Sequence, residues 1–447
     1  MSIFPAVRPA VSPAVRGAFE QSYGGGAASI IAGLFAQGQQ GFWLPFTDFA
    51  SLSQDSAGTL PYTALEQPVG RVLDRSGRGN HATQVTSTAR GVVSARVNLL
   101  TKTNQIGDGV AWGAVNGLSV TLGASQGPSG SASMSRLTVA GGAPNQRVQQ
   151  VCPTAPNVVY IVSLVIKKES GSISRLAIYN STVTTLLVAT TIDWTGSDQI
   201  FTNNVGWISN PVATNLGGGN FLVSATFSPS ANTSCVFLIY KDGSIGDSVL
   251  VGDAEIKPAS QASLPYQRVN TATDYESVGF PKYLRLDGTD DFYTCAGGGS
   301  TTGFYYSDVV RPMGGAGTRR VIWSDRSGNN GYELAINASD KLEFSAGNGT
   351  TITTVETTQL AALAEGKRYE VMDDGAVLSV QIDGSAPVTV ARPVVTAGSS
   401  TITLYRGAST GYFNGQITEP IYRAGTPPNA HEREVIRNYQ MQKAGML

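Results

Sequence analysis

The chain has 447 residues, too many for one ordinary core, and 41% of them are hydrophobic, enough to bury several; two or three domains are expected and wholesale disorder is not. Only 14% of residues are charged and the net charge is −1, with no acidic or basic block, so a nucleic-acid-binding face is not expected. No apolar run approaches the roughly 20 residues that cross a bilayer, and residues 1–10 lack the pattern of a secretory signal, so neither a membrane nor a secretion route is expected.

Residues 1–40 differ in character from the rest of the chain. A Pro-Ala-Val repeat runs through residues 5–15, and each proline removes an amide donor and fixes φ, so an extended arm is expected there. Gly24 to Gly26 form a joint, and residues 30–35 an apolar patch. Phe4, Phe19, Ile30, Ile31, Leu34 and Phe35 have no evident core of their own, which makes the arm an anchoring segment for a neighbouring subunit; a free terminus is the alternative.

From about Trp43 the sequence alternates short β-branched and aromatic runs with glycine, asparagine and serine turns, and its 52 glycines supply the positive φ such turns need. Strands are expected at residues 69–73, 135–139, 158–166, 176–179, 184–191, 221–227 and 235–240. A second set falls at 283–286, 304–310, 320–323, 332–336, 341–345, 351–356, 369–373, 377–382 and 401–405. Asp383-Gly384 reads as a hairpin turn. The one expected helix is terminal: Asn429 caps it, Glu432 and Glu434 suit its positive end, and Val435, Ile436 and Tyr439 form one apolar stripe.

Three cysteines, Cys152, Cys235 and Cys295, show no C-x-x-C spacing, so buried free thiols are expected rather than disulfides or a zinc site. Only two histidines are present, His81 and His431, and neither lies near a nucleophile signature, which argues against a serine-histidine triad. Clustered carboxylates occur at Asp287, Asp290 and Asp291 and at Asp373 and Asp374. They are open to glycoside hydrolysis, but alternating carboxylates on one strand are missing and a turn that caps its own amides is the simpler account. Asp287, Asp290 and Asp291 are also the candidates for a calcium ion, without EF-hand spacing; no other cofactor is expected.

The motifs LSQDSAG at 52–58 with PVG at 68–70, DRSGRGNHATQ at 74–84, RVNLLTKT at 96–103, and YQRVNTATDY at 266–275 followed by GFPKYLRLDGTDD at 279–291 resemble phage and prophage tail or virion proteins with a concanavalin-A-like (laminin-G-like) jelly roll. The resemblance implies a split jelly roll over residues 41–97 and 271–447, with a carbohydrate-binding-module-like sandwich inserted at 98–270. The stretch GQITEPIY at 415–422 would close the jelly roll beside residues 283–293. DRSG recurs at 325–328 and reads as the same turn chemistry used twice, not as a duplicated domain.

The fold class expected is therefore all-β: two β-sandwich (jelly-roll) domains, an extended N-terminal arm and a short C-terminal helix. The function implied is a non-enzymatic structural component of a tailed-phage virion, made in the host cytoplasm. It would be a tail fibre, spike or baseplate adhesin, trimeric by the same resemblance, that binds host surface glycan. A decoration protein without glycan binding and a glycan depolymerase are the alternatives. A sugar platform needs exposed rings with polar neighbours. Trp112, Trp194 and Trp207 are available in the inserted sandwich, and Tyr305, Tyr306, Tyr412 and Trp323 in the jelly roll; Trp207 and Trp323 read as strand interiors.

Overall fold

The computed structural model describes residues 26–446, apart from Ser172, 196–197, Ala362, Asp383 and 408–410. The protein is all-β, and the chain divides into two compact units, one made of Met1–Ala95 with Pro281–Leu447, the other of Arg96–Phe280. The second is thus inserted into the sequence of the first. Among the described residues no helix is long and apolar enough to cross a membrane.

The split unit is a sandwich of two nine-stranded sheets. One runs from Val388–Ala391 through Lys367–Asp373, Phe304–Pro312, Asn414–Ile417 and Tyr283–Asp287 to Val92–Ser94, all antiparallel. The other runs from Leu52–Ser53 through Tyr293–Ala296, Thr401–Leu404 and Arg320–Ser324 to Ile352–Leu360. As expected, the 415–422 stretch closes the roll beside residues 283–287: Leu284 stands opposite Ile417 and Leu286 opposite Gly415. The core between the sheets is aromatic. Phe304 meets Tyr332, Trp323, Phe344 and Tyr422 at ring-centre distances of 4.7 to 5.6 Å, from both sides of the sandwich.

The two DRSG turns hold themselves by a buried carboxylate. Asp74 accepts from the amides of Trp43 (3.0 Å), Ser76 (2.8 Å) and Asn80 (3.0 Å) and from the Ser76 hydroxyl (2.7 Å). Gly77 and Gly79, at φ of 80° and 76°, supply the left-handed steps between them. Asp325 does the same work for the amides of Tyr332 (2.6 Å) and Gly299 (2.9 Å), and burial pushes its carboxyl up to about 6.

The C-terminal helix, Ala430–Lys443, has the expected capping box: the Asn429 side chain accepts from the Glu432 amide, and Glu432 from the Asn429 amide. Gln440, fully buried, donates to the backbone of Ser307 and Glu419 and accepts from the Ser307 hydroxyl, fastening the helix to the sheet. Asn429→Ala should lower stability by about 1 kcal/mol, seen as a shifted urea midpoint at unchanged slope.

Of the expected extended arm, residues 1–25 lie outside the described residues, and Ala27–Gly33 form a helix instead. The proline repeat ends well before this point, and Ile31, Leu34 and Phe35 are buried against Trp43, Tyr305, Ile421, Ile436 and Tyr439. Packing this stripe on the terminal helix and the sheet outweighs the extended tendency.

The inserted unit is a sandwich of two six-stranded antiparallel sheets. The first follows the order Ser209–Gly217, Asn220–Phe227, Tyr160–Lys168, Ser248–Pro258, Gly130–Val139, Leu118–Gly127. The second follows Asp198–Val205, Leu186–Thr195, Ile173–Asn180, Ser234–Lys241, Arg147–Pro153, Gly113–Val115. Its two ends are clasped. Gln267 Oε1 accepts from the amides of Val97 and Asn98 at 2.8 and 3.1 Å, and the Asn98 amide group donates to the carbonyls of Ala254 and Gln267 at 3.0 Å each. The motif residues at 96–103 and 266–275 therefore serve the clasp.

Candidate outward-face ligand site

In a strand, successive side chains point to opposite faces, so one buried contact assigns the whole strand. Trp194 packs edge-on to Phe221 of the facing sheet, with ring centres 6.0 Å apart. Val188, Thr190, Ile192 and Trp194 therefore point inward, and Ala189, Thr191 and Asp193 outward. Cys152 and Cys235 stand opposite each other and lie near Tyr160 of the facing sheet, so they too point inward, as buried free thiols. Arg147, Gln149 and Val151 then face outward, as do Val236, Leu238 and Tyr240.

The strand register lines these residues up. Tyr240 stands opposite Arg147 on one side and Arg175 on the other; Arg175 stands opposite Thr191, and Thr191 opposite Thr202. One row across five strands thus reads Arg147, Tyr240, Arg175, Thr191, Thr202. The next row is Gln149, Leu238, Ala177, Ala189. Ala177, Val236, Leu238 and Tyr240 form a buried cluster on this outward side, and Tyr179, Val183 and Ala189 pack against it half-buried.

Above the cluster the surface is cationic and polar. The Arg175 guanidinium lies 3.9 Å from the centre of the Tyr240 ring and that of Arg147 5.6 Å from it, both in the range where the ring quadrupole attracts a cation. Arg175 Nη2 donates to Asn145 Oδ1 at 2.7 Å, Arg147 Nη1 to the Asn145 carbonyl at 3.3 Å, and Arg147 Nε to Gln149 Oε1 at 3.1 Å. Burial raises the Tyr240 hydroxyl pKa, the neighbouring Tyr179 adds to this, and the two guanidiniums oppose it. At the far end Asn203 donates to Thr191 Oγ1 at 3.4 Å. Among the described residues neither Arg147 nor Arg175 has a carboxylate at ion-pair distance.

The rings expected to form a sugar platform are mostly elsewhere. Trp112, Tyr305 and Tyr306 are fully buried and Trp194 is 5% exposed, so none offers a face to a ligand. Trp112 packs on Phe237, and the Tyr305 hydroxyl serves the Arg368–Glu370 pair under the terminal helix. The Tyr306 hydroxyl bonds Asp308, whose carboxyl burial holds far above the usual range. Trp323 is core, as expected. Trp207 is not a strand interior; it lies half-exposed between two strands and donates to the Ala189 carbonyl at 2.8 Å. Tyr412 is likewise partly open, beside Phe292, on whose ring the Arg406 guanidinium stacks at 3.7 Å.

Of the expected anchoring residues, Phe4 and Phe19 lie outside the described residues. Ile30 is half-buried, and Ile31, Leu34 and Phe35 are spent inside the fold, which corrects the premise that they need an external partner.

Asp287, Asp290 and Asp291 do come together, with ligand oxygens within 4.8 Å of one another. Asp291 accepts from the Asp287 amide at 2.8 Å and Asp287 from the Thr289 amide at 2.7 Å, so the group is a self-capped turn. Burial, then the two neighbouring carboxylates, push Asp291 up to about 6. Asp373 is fully buried and paired with Arg392 at 2.7 Å, while Asp374 caps the amides of Ala376 and Val377. His81 accepts from the Asp74 amide at 3.0 Å, and burial depresses its pKa. His431 lies in the first turn of the terminal helix.

No protein-family model matches the chain, and no curated protein matches it. Among solved structures it is similar to botulinum neurotoxin type C, whose cell entry is described as dependent upon interaction with two ganglioside molecules, at 14% identity and a TM-score of 0.30 over 36% of this chain and 43% of that one. The chain thus spans less than half the length of that toxin chain. It is also similar to a domain pair of the mouse laminin alpha1 chain, at 13% identity and a TM-score of 0.27 over 63% of this chain and 92% of that one. A third likeness is to domain 4 of an extracellular arabinanase from Geobacillus stearothermophilus in complex with arabinotriose, at 16% identity and a TM-score of 0.29 over 34% and 76%.

Proposed function

We propose that this chain is a non-enzymatic, glycan-binding structural protein, and that the outward face of the inserted sandwich, at its half-buried residues Arg147, Arg175 and Tyr179, is where the saccharide sits. The observation that carries the reading is the row Arg147, Tyr240, Arg175, with Gln149, Asn145 and the half-buried Tyr179 beside it. Tyr240 is itself buried beneath the two guanidiniums, so Tyr179 supplies the aromatic surface for sugar C–H groups while the arginines, Gln149 and Asn145 supply donors and acceptors for hydroxyls, on a rigid sheet. The carboxylates and His81 are engaged in turns and ion pairs of the fold, which supports binding over hydrolysis. The motif resemblance supports placing the protein in a tailed-phage particle as a fibre, spike or baseplate adhesin. Its anchoring through residues 1–25 would then rest on Phe4 and Phe19, and the subunit would be a homo-oligomer, a trimer by the same resemblance. Calcium at Asp287, Asp290 and Asp291 stays part of this proposal.

A glycan array probed with the full chain should give binding without turnover of any bound polysaccharide. Tyr179→Ala should weaken the strongest signal by roughly tenfold, since an aromatic contact of this kind contributes about 1 kcal/mol or more. Signal that is unchanged in Tyr179→Ala would move the site elsewhere, Tyr412 first, and released oligosaccharide would make the protein an enzyme.

A further inference from the structure

We propose that the saccharide taken by this face is an acidic one, and that Arg147 and Arg175 together receive its carboxylate or sulfate; the inference rests on the glycan-binding reading above. Two cations flank one ring from the strands on either side of its own, and no described carboxylate pairs with either. Each arginine stands opposite Tyr240, so the two guanidiniums converge on one ring and repel each other with no described carboxylate to neutralise them. An anion between them reverses that sign.

The site is also preorganised for such a group. Stacking on Tyr240 fixes the plane of Arg175, and Asn145, with φ of 58°, turns back to hold both guanidiniums, one through its side chain and one through its carbonyl. Arginine presents its donors as a planar fork that matches two oxygens of a carboxylate or sulfate. Arg175 Nε is buried without a hydrogen-bond partner, so the protein alone leaves part of that fork unsatisfied. Two carboxylates lie nearby. Asp193 points outward one step beyond Thr191 on its strand, and Asp242 follows Tyr240 by two residues, yet neither pairs with the arginines. Asp193 makes the Thr191 end unfavourable for an anion. The acidic group is therefore placed at the half-buried guanidiniums of Arg147 and Arg175, with neutral parts of the chain running toward Thr191 and Thr202.

The test is affinity electrophoresis of the full chain through gels containing polygalacturonate, dextran sulfate, neutral dextran, amylose or polyphosphate. Retardation by polygalacturonate or dextran sulfate is expected, and which of the two acts identifies the carboxylate or the sulfate as the group read. Arg147→Met and Arg175→Met should each weaken it by about tenfold, and Arg175→Lys by less, because a point charge keeps attraction but loses the fork. Thermal melting checks that each variant is folded; should Arg175→Met fail to fold, Arg147→Met and Arg175→Lys carry the test. Retardation by neutral polysaccharide alone, unchanged in the arginine variants, overturns the acidic-ligand inference and leaves the glycan reading standing. No retardation by any polysaccharide, together with a blank glycan array, overturns both. Equal retardation by polyphosphate, lost in the same variants, overturns the saccharide and makes the face a general polyanion site.

Discussion

Asp74→Ala should lower the unfolding free energy of the split unit by roughly 4 kcal/mol, near the top of what single substitutions do. The carboxylate takes three backbone amides and one hydroxyl, and Asp74 is only 7% exposed. Removing it strands those amides without water to replace the acceptor, at about 1–3 kcal/mol for each buried donor left unmade. The loss is not local. The Trp43 amide belongs to the strand that pairs with Ile421–Ala424, while Asn80 reaches back to the Gly41 carbonyl at 2.7 Å. One carboxylate thus ties the turn at 74–80 to an edge of the first sheet. Asp74→Asn keeps one acceptor oxygen and should lose about half as much. Chemical unfolding of the three proteins decides it: an alanine variant within about 0.5 kcal/mol of the parent, the range of an ordinary surface substitution, would show that the turn holds without its clip.

Stability should also fall as pH rises from about 5 to 7.5, against the usual direction for a protein of net acidic charge. Glu419 is fully buried beneath the terminal helix, where Thr47 donates to it at 3.3 Å. Burial pushes its carboxyl from 4.5 to about 7, with Lys443 and the Tyr439 and Thr47 hydroxyls opposing. A folded-state value above the unfolded one means that the native state holds the proton more tightly between those two pH values. Its contribution is complete below the unfolded value and is lost as pH climbs through the folded one, about 3 kcal/mol in all. Asp325 and Asp291, both raised to about 6, act in the same direction at slightly lower pH. The melting temperature should drop by roughly 5–10 °C across the window. Glu419→Gln, which cannot ionise, should flatten much of that slope. A variant that melts with the parent's pH dependence would assign the slope to other groups.

Much of the fold was legible in the residues. Strands such as 304–310 and 332–336 are β-branched and aromatic because both of their faces are covered, and the terminal helix announced itself by its cap and stripe. Strands built of serine, threonine and asparagine were not legible. Asp198–Val205 and Ser209–Gly217 are mostly exposed edges whose polar residues look like loop. The site was hidden for the opposite reason. Residues 235–240 are apolar without interruption, so no alternation says that Tyr240 faces out and Phe237 in; only the register against Arg147 and Arg175 does. Large rings suit a sugar platform, yet large rings are also what cores bury first, and Trp112, Tyr305 and Tyr306 went there. The better signal was a lone arginine at an outward position on each of the two strands that flank residues 235–240.

The clasp between Asn98 and Gln267 bears on how the chain emerges from the ribosome. Val92–Ser94 has no partner strand until Tyr283–Asp287 is made, so the first segment of the split unit must wait through synthesis of the whole insert. At about 5–20 residues per second that delay is on the order of ten seconds or longer. The insert meets no such delay: its sheets draw only on its own residues, and once Gln267 appears its two ends close onto each other. A nascent chain arrested once residue 280 has cleared the ribosome should therefore already resist protease across the insert while its leading segment is still cleavable.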